Sequence, residues 1–255
     1  VGAWGIGHQH NDKLHLSVAA FGRDILVDAG RLYYKGDKWR RFIKSTSAHN
    51  TLLIDGCVQN DDVKEFTEPL SDDTYQLAKT FDFARGAFTA GYHEADGHAA
   101  HTRTVVYVRG KYWVVIDHVA TDRPRDVQAL WHFHPECTVA IDGSDVASTD
   151  ADKGNIRVIS VGRSNWEIEL IKGQEEPFIQ GWYSREYNHK VAATCAVFKT
   201  RISSDATFVW VLQPGRGAVS QIHAEVLSSG NTDVTLKMGD TTLSIPIYSG
   251  KPTVQ

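Results

Sequence analysis

The chain has 255 residues, of which 42% are hydrophobic and 23% charged, an ordinary composition for a globular protein. Its formal net charge of -4 argues against a surface that attracts nucleic acid as a whole, because long-range attraction needs a field of the opposite sign. No apolar run approaches the roughly 20 residues of a membrane-spanning helix. We therefore predict neither a nucleic-acid partner nor a membrane partner.

Alternation of apolar and polar residues with a period of two predicts β-strands along most of the chain. Residues 14–20 and 25–28 flank a turn at Gly22-Arg23-Asp24 and predict a hairpin. Residues 104–108 and 111–117 flank the turn Arg109-Gly110 and predict a second hairpin. Further strands are predicted at residues 52–54, 127–134, 156–161, 166–171, 192–199, 207–212, 234–238 and 242–247.

Helix signals are few. Residues 37–45 begin with an acidic cap and have apolar side chains at near-helical spacing, but a polar loop fits them equally well. The polar stretches 142–155 and 228–233 predict surface loops. We therefore predict an all-β fold, a large antiparallel β-sandwich with few or no helices, that forms a single domain over residues 1–255.

Two histidines at positions i and i+2 suggest a metal site near the start of the chain. On an extended backbone, His8 and His10 project from the same face about 7 Å apart. Asp28 ends the first predicted hairpin and His49 precedes the strand at 52–54, so these ends converge if hairpin and strand are neighbours. Imidazole and carboxylate groups suit Zn²⁺, although a solitary HxH pair is more often a surface or core feature.

A basic run separates Asp28 from His49 in an otherwise acidic chain. Its members are Arg31, Lys35, Lys38, Arg40, Arg41 and Lys44, with Asp37 as the single acid and Tyr33, Tyr34 and Trp39 interleaved. Arginine pairs bidentately with carboxylate or sulfate, and aromatic rings cover the apolar face of a sugar. The run therefore suggests an acidic sugar as ligand, with a solvated charged surface as the alternative.

Three other metal-site patterns do not fit the HxH segment. A cupin would have Glu three or four residues further on, where Lys13 and Leu14 stand. The metallo-β-lactamase pattern HxHxDH also fails at Lys13. An amidohydrolase would need an α/β barrel, and the chain lacks the required alternation of strands and helices.

Several segments together resemble the heparinase II/III-like region of polysaccharide lyases, whose members act on alginate, heparin, heparan sulfate and related uronic-acid polymers. The segments are residues 7–12 (GHQHND), 25–30 (ILVDAG), 45–56 (STSAHNTLLIDG), 101–107 (HTRTVVY), 114–117 (VVID), 130–134 (LWHFH) and 181–187 (GWYSREY). They cover most of the chain in the order of the family.

The resemblance implies a metal site and a substrate site. His10, Asp28 and His49 are expected to hold a chiefly structural zinc ion, with calcium or another divalent metal less favoured. His8 is expected to face the substrate as a catalytic residue, and Tyr34, in preference to Tyr33, to line the cleft as a second one. The residues expected to bind substrate are Arg31, Tyr33, Arg41, His132, Trp182 and Tyr183, although Trp182 and Tyr183 fit a core role equally.

The resemblance also implies that half of the active site lies outside this chain. In the family, an α/α-toroid domain precedes the sandwich and supplies a catalytic Tyr, a His and an Asn. The sequence contains no helical region of that size and begins at Val1 without an initiator Met, so we expect a preceding segment or a separate toroid polypeptide. A periplasmic or secreted bacterial location follows from the same resemblance.

The predicted reaction is β-elimination on a uronic-acid-containing polysaccharide, either alginate or a glycosaminoglycan. A non-catalytic, metal-stabilised carbohydrate-binding β-sandwich is the alternative from another class. A cupin-like oxygenase or isomerase, which would bind iron rather than zinc, is a third.

Overall fold

A computed structural model describes residues 8–61, 69–162 and 165–255. The strands in chain order are β1 (Val18–Ala20), β2 (Arg23–Leu26), β3 (Leu52–Ile54), β4 (Tyr75–Leu77), β5 (Phe81–Phe88), β6 (Ala99–Val108), β7 (Tyr112–Thr121), β8 (Arg125–His132), β9 (Val139–Asp142), β10 (Asp145–Ser148), β11 (Gly154–Val161), β12 (Glu167–Lys172), β13 (Trp182–Tyr183), β14 (Val191–Ala192), β15 (Thr194–Ile202), β16 (Ala206–Arg216), β17 (Ala224–Ser229), β18 (Asp233–Met238), β19 (Thr241–Pro246) and β20 (Thr253–Val254). Helix α1 (Lys38–Lys44) is followed by a 3₁₀ turn at Thr46–Ala48.

Antiparallel sheets dominate the structure, which confirms the predicted all-β class. The largest sheet has the strand order β4-β5-β6-β7-β16-β11-β10-β9, and each neighbouring pair is antiparallel. A four-stranded sheet, β12-β15-β8-β3, and a second one, β17-β18-β19-β20, accompany it. β1 pairs with β2 and β13 with β14 in two-stranded ribbons beside these sheets.

The central strands of the large sheet are buried on both faces, which makes the sandwich three layers deep. Val115 of β7 belongs to a core that includes Trp131 of β8 and Phe198 of β15, so this face packs on the sheet β12-β15-β8-β3. Its neighbour Val114 belongs to a separate core with Leu236 of β18. Successive side chains of a strand point to opposite faces, so an almost continuous apolar strand such as β7 is what this position requires.

A buried ionic cluster lies inside the first of these cores. Arg103 donates through Nε to Asp117 Oδ1 (2.6 Å) and through Nη2 to Asp117 Oδ2 (2.9 Å), and both side chains are almost fully buried. His101 Nε2 lies 2.7 Å from the same carboxylate. Arg103 Nη1 also donates to the backbone carbonyls of Leu14 and Asn50. The cluster therefore fastens the segments that carry the predicted site to the centre of the sandwich.

Two predicted hairpins are present with altered turns. In the β6–β7 hairpin, Val108 pairs with Tyr112, so the connection has three residues, 109–111, rather than two. The first hairpin is shorter than predicted and begins at Val18, because Leu14 adopts φ 66°, outside the range of a strand. Its turn is formed by residues 21 and 22, one position before the predicted one.

The predicted surface loop at residues 142–155 is wrong in its centre. Asp145–Ser148 forms a fully buried strand, β10. Asp145 suggested an exposed loop, but its charge is paired: Arg157 Nη1 lies 3.2 Å from its carboxylate.

The segment 37–45, for which helix and loop were open, is helical over Lys38–Lys44. In the part of the chain that the structure describes, no helix is long and apolar enough to span a membrane.

Candidate active site

A cleft of about 720 Å³ opens beside β1 and β2. It is lined by residues that the sequence analysis selected and by others that it did not; the polar ones include His8, His10, Asp28, Arg31, Tyr183 and Arg185. Imidazoles, carboxylates and guanidinium groups thus share one concave surface. Such convergence of polar groups in a large pocket is the usual mark of a binding or catalytic site.

Gly30 brings the two walls of the cleft together. It pairs with Ser184 in a parallel bridge, and the Ser184 N–H donates to the Ala29 carbonyl at 2.8 Å. Gly30 has φ +91°, and a Cβ at this position would lie 1.9 Å from the Ser184 carbonyl oxygen. Only glycine fits, since any side chain would push away the segment that carries Tyr183 and Arg185.

Asp37 caps the N-terminus of α1. Its carboxylate accepts the backbone N–H groups of Trp39 and Arg40, both at 3.1 Å, which otherwise have no partner in the first helical turn. The Tyr33 hydroxyl donates to the same carboxylate at 2.7 Å. This bond lowers the pKa of Asp37 and raises that of Tyr33. Tyr33 therefore anchors the helix and is not among the residues lining the cleft.

Tyr34 lies against His8 but is not itself among the residues lining the cleft. The two rings meet edge to face with centroids 5.6 Å apart, and Tyr34 is 53% exposed. The Arg40 guanidinium lies 5.0 Å from the centre of the Tyr34 ring. Arg40 itself is buried and donates through Nη1 to the Arg31 carbonyl at 3.3 Å. The two predicted catalytic side chains are thus adjacent, with a cation beneath the tyrosine ring.

The buried imidazole of His49 pairs with the partly exposed carboxylate of Asp28. His49 is fully buried, and its Nδ1 lies 2.9 Å from Asp28 Oδ2, while Asp28 Oδ1 accepts the Gly30 N–H at 2.7 Å. Burial would raise the pKa of Asp28, but the hydrogen bonds with His49 and with the Gly30 N–H hold it well below its ordinary value. His49 Nε2 is buried and has no hydrogen-bond partner among the described residues. A carboxylate at Nδ1 fixes the tautomer in which Nε2 carries a lone pair.

Two sets of side chains could hold a metal ion at this point. In each set the ligand atoms all lie within 4.8 Å of one another: His10 with Asp12 and His49, and His15 with Asp28 and His49. The predicted ligands His10, Asp28 and His49 are thus gathered around one imidazole, but they are divided between the two sets. Nitrogen and oxygen donors of this kind fit zinc.

His15 is a poor ligand because both of its ring nitrogens are occupied. Its Nδ1 accepts the Asn50 N–H at 2.9 Å, and its Nε2 lies 2.8 Å from Ser17 Oγ. Burial lowers the pKa of His15 to about 3, so it is neutral and its single proton lies on Nε2. Among the residues that the structure describes, none forms a hydrogen bond with the His10 ring. Burial, with a smaller contribution from the neighbouring His49, lowers the pKa of His10, which favours the neutral form that binds metals.

His132 lies behind the cleft rather than in it. It is 3% exposed, and its Nδ1 and backbone N–H both bond to Asn50 Oδ1, at 3.0 and 2.6 Å. Its Nε2 lies 3.1 Å from the Ser47 carbonyl and 3.2 Å from Gln180 Oε1. His132 therefore supports the segment that carries His49.

Of the remaining residues predicted to contact substrate, two line the cleft and two do not. Arg31 and Tyr183 line the cleft, and the Tyr183 ring lies 5.3 Å from that of His134. Arg41 is exposed on α1 and is not a lining residue, and Trp182 packs edge to face on Trp39 at 5.2 Å. Trp182 and Tyr183 follow each other on β13, so their side chains point to opposite faces.

The sequence analysis did not select Asp12 and Arg185, which also line the cleft. Asp12 stands two residues after His10, the same spacing that singled out the histidine pair. Arg185 directly follows the Gly181-Trp182-Tyr183-Ser184 segment that was selected. The same sequence signals that identified His10 and Tyr183 could therefore have identified Asp12 and Arg185 as well.

Comparison with known proteins identifies a family. A family model described as heparinase II/III-like, C-terminal, matches residues 1–211. No curated protein sequence matches the chain.

Solved structures share the fold at low sequence identity. Heparan sulfate lyase HepC from Pedobacter heparinus is 18% identical with a TM-score of 0.75, and the match covers 95% of this chain and 37% of that chain. A heparinase III gene product is 17% identical with a TM-score of 0.75, covering 100% of this chain and 37% of that one. A further heparinase III structure is 18% identical with a TM-score of 0.73, covering 93% and 36%. The chain thus spans just over a third of the length of these relatives.

Proposed function

The chain belongs to the heparinase II/III-like family, and from that premise we propose that it forms the β-sandwich part of a polysaccharide lyase. Its substrate would be a uronic-acid-containing polysaccharide, cleaved by β-elimination. The observation that carries this proposal is the contact of His8 with Tyr34 beside a cleft lined by Arg31 and Arg185. Because the solved relatives are named heparan sulfate lyases and heparinases, a glycosaminoglycan is preferred over alginate.

The reaction requires removal of the C5 proton, neutralisation of the uronate carboxylate and protonation of the departing oxygen. A base removes the C5 proton, and the electrons of that bond form the C4–C5 double bond. The C4–O bond then breaks and the departing oxygen takes up a proton, so that no water is consumed. We assign His8 to proton removal or to neutralising the uronate carboxylate, since imidazole exchanges protons near neutral pH. Tyr34 is the adjacent hydroxyl and would assist the proton transfers.

Arg31 and Arg185 would bind the acidic groups of the polysaccharide. Both are exposed, line the cleft and have no carboxylate within 4.0 Å among the described residues, so their guanidinium groups are available to a ligand. An arginine can bind a carboxylate or a sulfate through two parallel hydrogen bonds, which fixes orientation as well as charge. An arginine bound to the uronate carboxylate would stabilise the negative charge that develops at C5.

A divalent metal, zinc by preference, is proposed at His10, Asp28 and His49. The buried lone pair of His49 Nε2 and the gathering of His10, Asp12 and Asp28 around that ring support it. When bound, the ion would supply positive charge and stabilise the fold of the surrounding segments. Asp28 would serve either as a ligand or as the carboxylate that orients His49, and in the second case Asp12 would complete the set.

The rest of the active site would come from an α/α-toroid domain in the same or another chain. This chain covers 37% of the heparan sulfate lyase that it resembles, which leaves room in such an enzyme for a further large domain. A periplasmic or secreted location belongs to the same proposal.

The test is to incubate the full-length protein with heparan sulfate, its unsulfated counterpart heparosan, and alginate. We expect an increase in ultraviolet absorbance from the C4–C5 double bond with at least one of the two glycosaminoglycans. Saturated reducing ends without that absorbance would identify a hydrolase and contradict the proposal. Binding of oligosaccharide without any product would instead favour the non-catalytic carbohydrate-binding sandwich.

A further inference from the structure

The indole rings of Trp39 and Trp182 hold a lysine on the far side of β13 from the cleft. The two rings cross edge to face, with centroids 5.2 Å apart and an interplanar angle of 86°. Lys190 Nζ lies 4.1 Å from the centre of the Trp39 ring and 4.8 Å from that of Trp182. The Trp182 Nε1–H donates to the Gln174 carbonyl at 2.9 Å, which fixes the orientation of its ring.

The charge of Lys190 is not balanced by an acid. Within the described residues, no carboxylate lies within 4.0 Å of its ammonium, although the side chain is half-buried. Glu175, an acid in the same region, pairs with Lys38 at 3.3 Å. A half-buried cation without a counter-ion is costly unless something compensates it. The two ring faces compensate in part, since an aromatic face attracts an ammonium electrostatically.

From these contacts we propose that Lys190, seated on Trp39 and Trp182, binds a sulfate or carboxylate group of an acidic polysaccharide. The rings occupy one side of the ammonium, so its N–H donors remain available on the outer side. Fixing the lysine before binding removes an ordering cost that a free lysine would incur on contact with the anion. Trp182 thus contributes to substrate binding by holding a cation rather than by stacking on a sugar.

One chain segment connects this subsite to the cleft. Arg185 lines the cleft, and Lys190 follows five residues later, so their Cα atoms are at most about 18 Å apart. The Asn188 N–H donates to the Leu32 carbonyl at 2.7 Å, which fastens the connecting segment to the wall that carries Arg31. A polysaccharide that extends from the cleft along this segment would meet Lys190 with a later sugar residue. The inference rests on the proposed function, since it assumes the same polymeric ligand.

The test compares Lys190→Met and Lys190→Arg in the full-length protein, with Lys237→Met as the matched control on the exposed face of β18. Dissociation constants are measured for a heparan-sulfate oligosaccharide and for a heparosan oligosaccharide of equal length, at two salt concentrations, together with melting temperatures. Lys190→Met should weaken binding roughly tenfold, the scale of one hydrogen bond to a charged group, and reduce its salt dependence. Lys190→Arg should retain most of the affinity, and Lys237→Met should leave it unchanged.

The two ligands identify the anionic group. Loss of affinity for the sulfated oligosaccharide alone assigns a sulfate, and an equal loss for both assigns a carboxylate. Unchanged affinity in Lys190→Met, with a lowered melting temperature, would show that the lysine only clamps the rings and would overturn the inference while leaving the proposed function intact. A wild-type protein that binds neither oligosaccharide would overturn both.

Discussion

Replacing Arg103 with methionine is expected to lower the free energy of unfolding by about 3–5 kcal/mol, because it removes one partner of a buried ion pair. Asp117 is fully buried, and of its partners among the described residues it would keep only His101, at 2.7 Å, and the indole N–H of Trp210, at 3.0 Å. The carbonyls of Leu14 and Asn50 would lose their guanidinium donor as well.

The assay is urea unfolding at pH 7 together with calorimetry. For a chain of this size, 1 kcal/mol shifts the melting temperature by about 2–4 °C, so a decrease of roughly 6–20 °C is expected. The double variant Arg103→Met/Asp117→Asn provides the matched comparison, since it removes both charges and keeps an acceptor for Trp210. It should recover about half of the loss. A single variant that costs less than about 1 kcal/mol, or a double variant as unstable as the single one, would refute the reasoning.

Three further perturbations test other parts of the structure. Asp37→Ala removes the cap of α1 and should lower the free energy of unfolding by about 1 kcal/mol in urea titrations, whereas no change would contradict the capping role. His10→Ala and Asp28→Ala should each lower zinc content and melting temperature together; zinc loss in Asp12→Ala with full zinc in Asp28→Ala would replace Asp28 by Asp12 as the ligand. Burial lowers the pKa of His101, so on acidification the unfolded chain takes up a proton before the folded one. The free energy of unfolding of the wild type should therefore fall as the pH drops below about 6.5, and His101→Gln should lose this part of the pH dependence. An unchanged slope of the free energy of unfolding against pH in His101→Gln would count against this role.

The sequence predicted the strands that have a strong period-two pattern. The hairpin β6–β7 and the strands β8, β11, β15 and β16 are close to their predicted positions, because their apolar faces are continuous. The strand Asp145–Ser148 was missed, because Asp145 is charged and its pairing with Arg157 cannot be read from local sequence. The start of β1 was misplaced because Leu14 adopts a positive φ that nothing in its neighbours indicates.

The candidate site was predictable where it depends on local spacing. His8, His10 and Asp28 come together in one cleft because an HxH pair and the end of a hairpin are short-range features. The positions of Trp182 and Lys190 depend on the crossing of α1 with β13, which are more than 130 residues apart and whose contact no local pattern specifies.

The roles of neighbouring histidines also required the structure. His15 Nδ1 bonds to Asn50 and His49 Nδ1 to Asp28, and in both cases the partner comes from another segment, so the sequence could not indicate these bonds. It also could not indicate that His49 Nε2 lacks a partner among the described residues. The distances from the ring nitrogens to their partners are needed to tell which histidines can be metal ligands and which support other segments.

The most direct test of the proposed active site is the rate of unsaturated-product formation by His8→Ala in the full-length protein, with His93→Ala as the control. His93 is an exposed histidine that is not among the residues lining the cleft, so its loss should leave the rate unchanged. Loss of a group that transfers protons typically lowers kcat by about 10²–10⁴-fold, which is the result expected for His8→Ala. A His8→Ala protein that retains the wild-type rate would contradict the assignment of this cleft as part of a lyase active site.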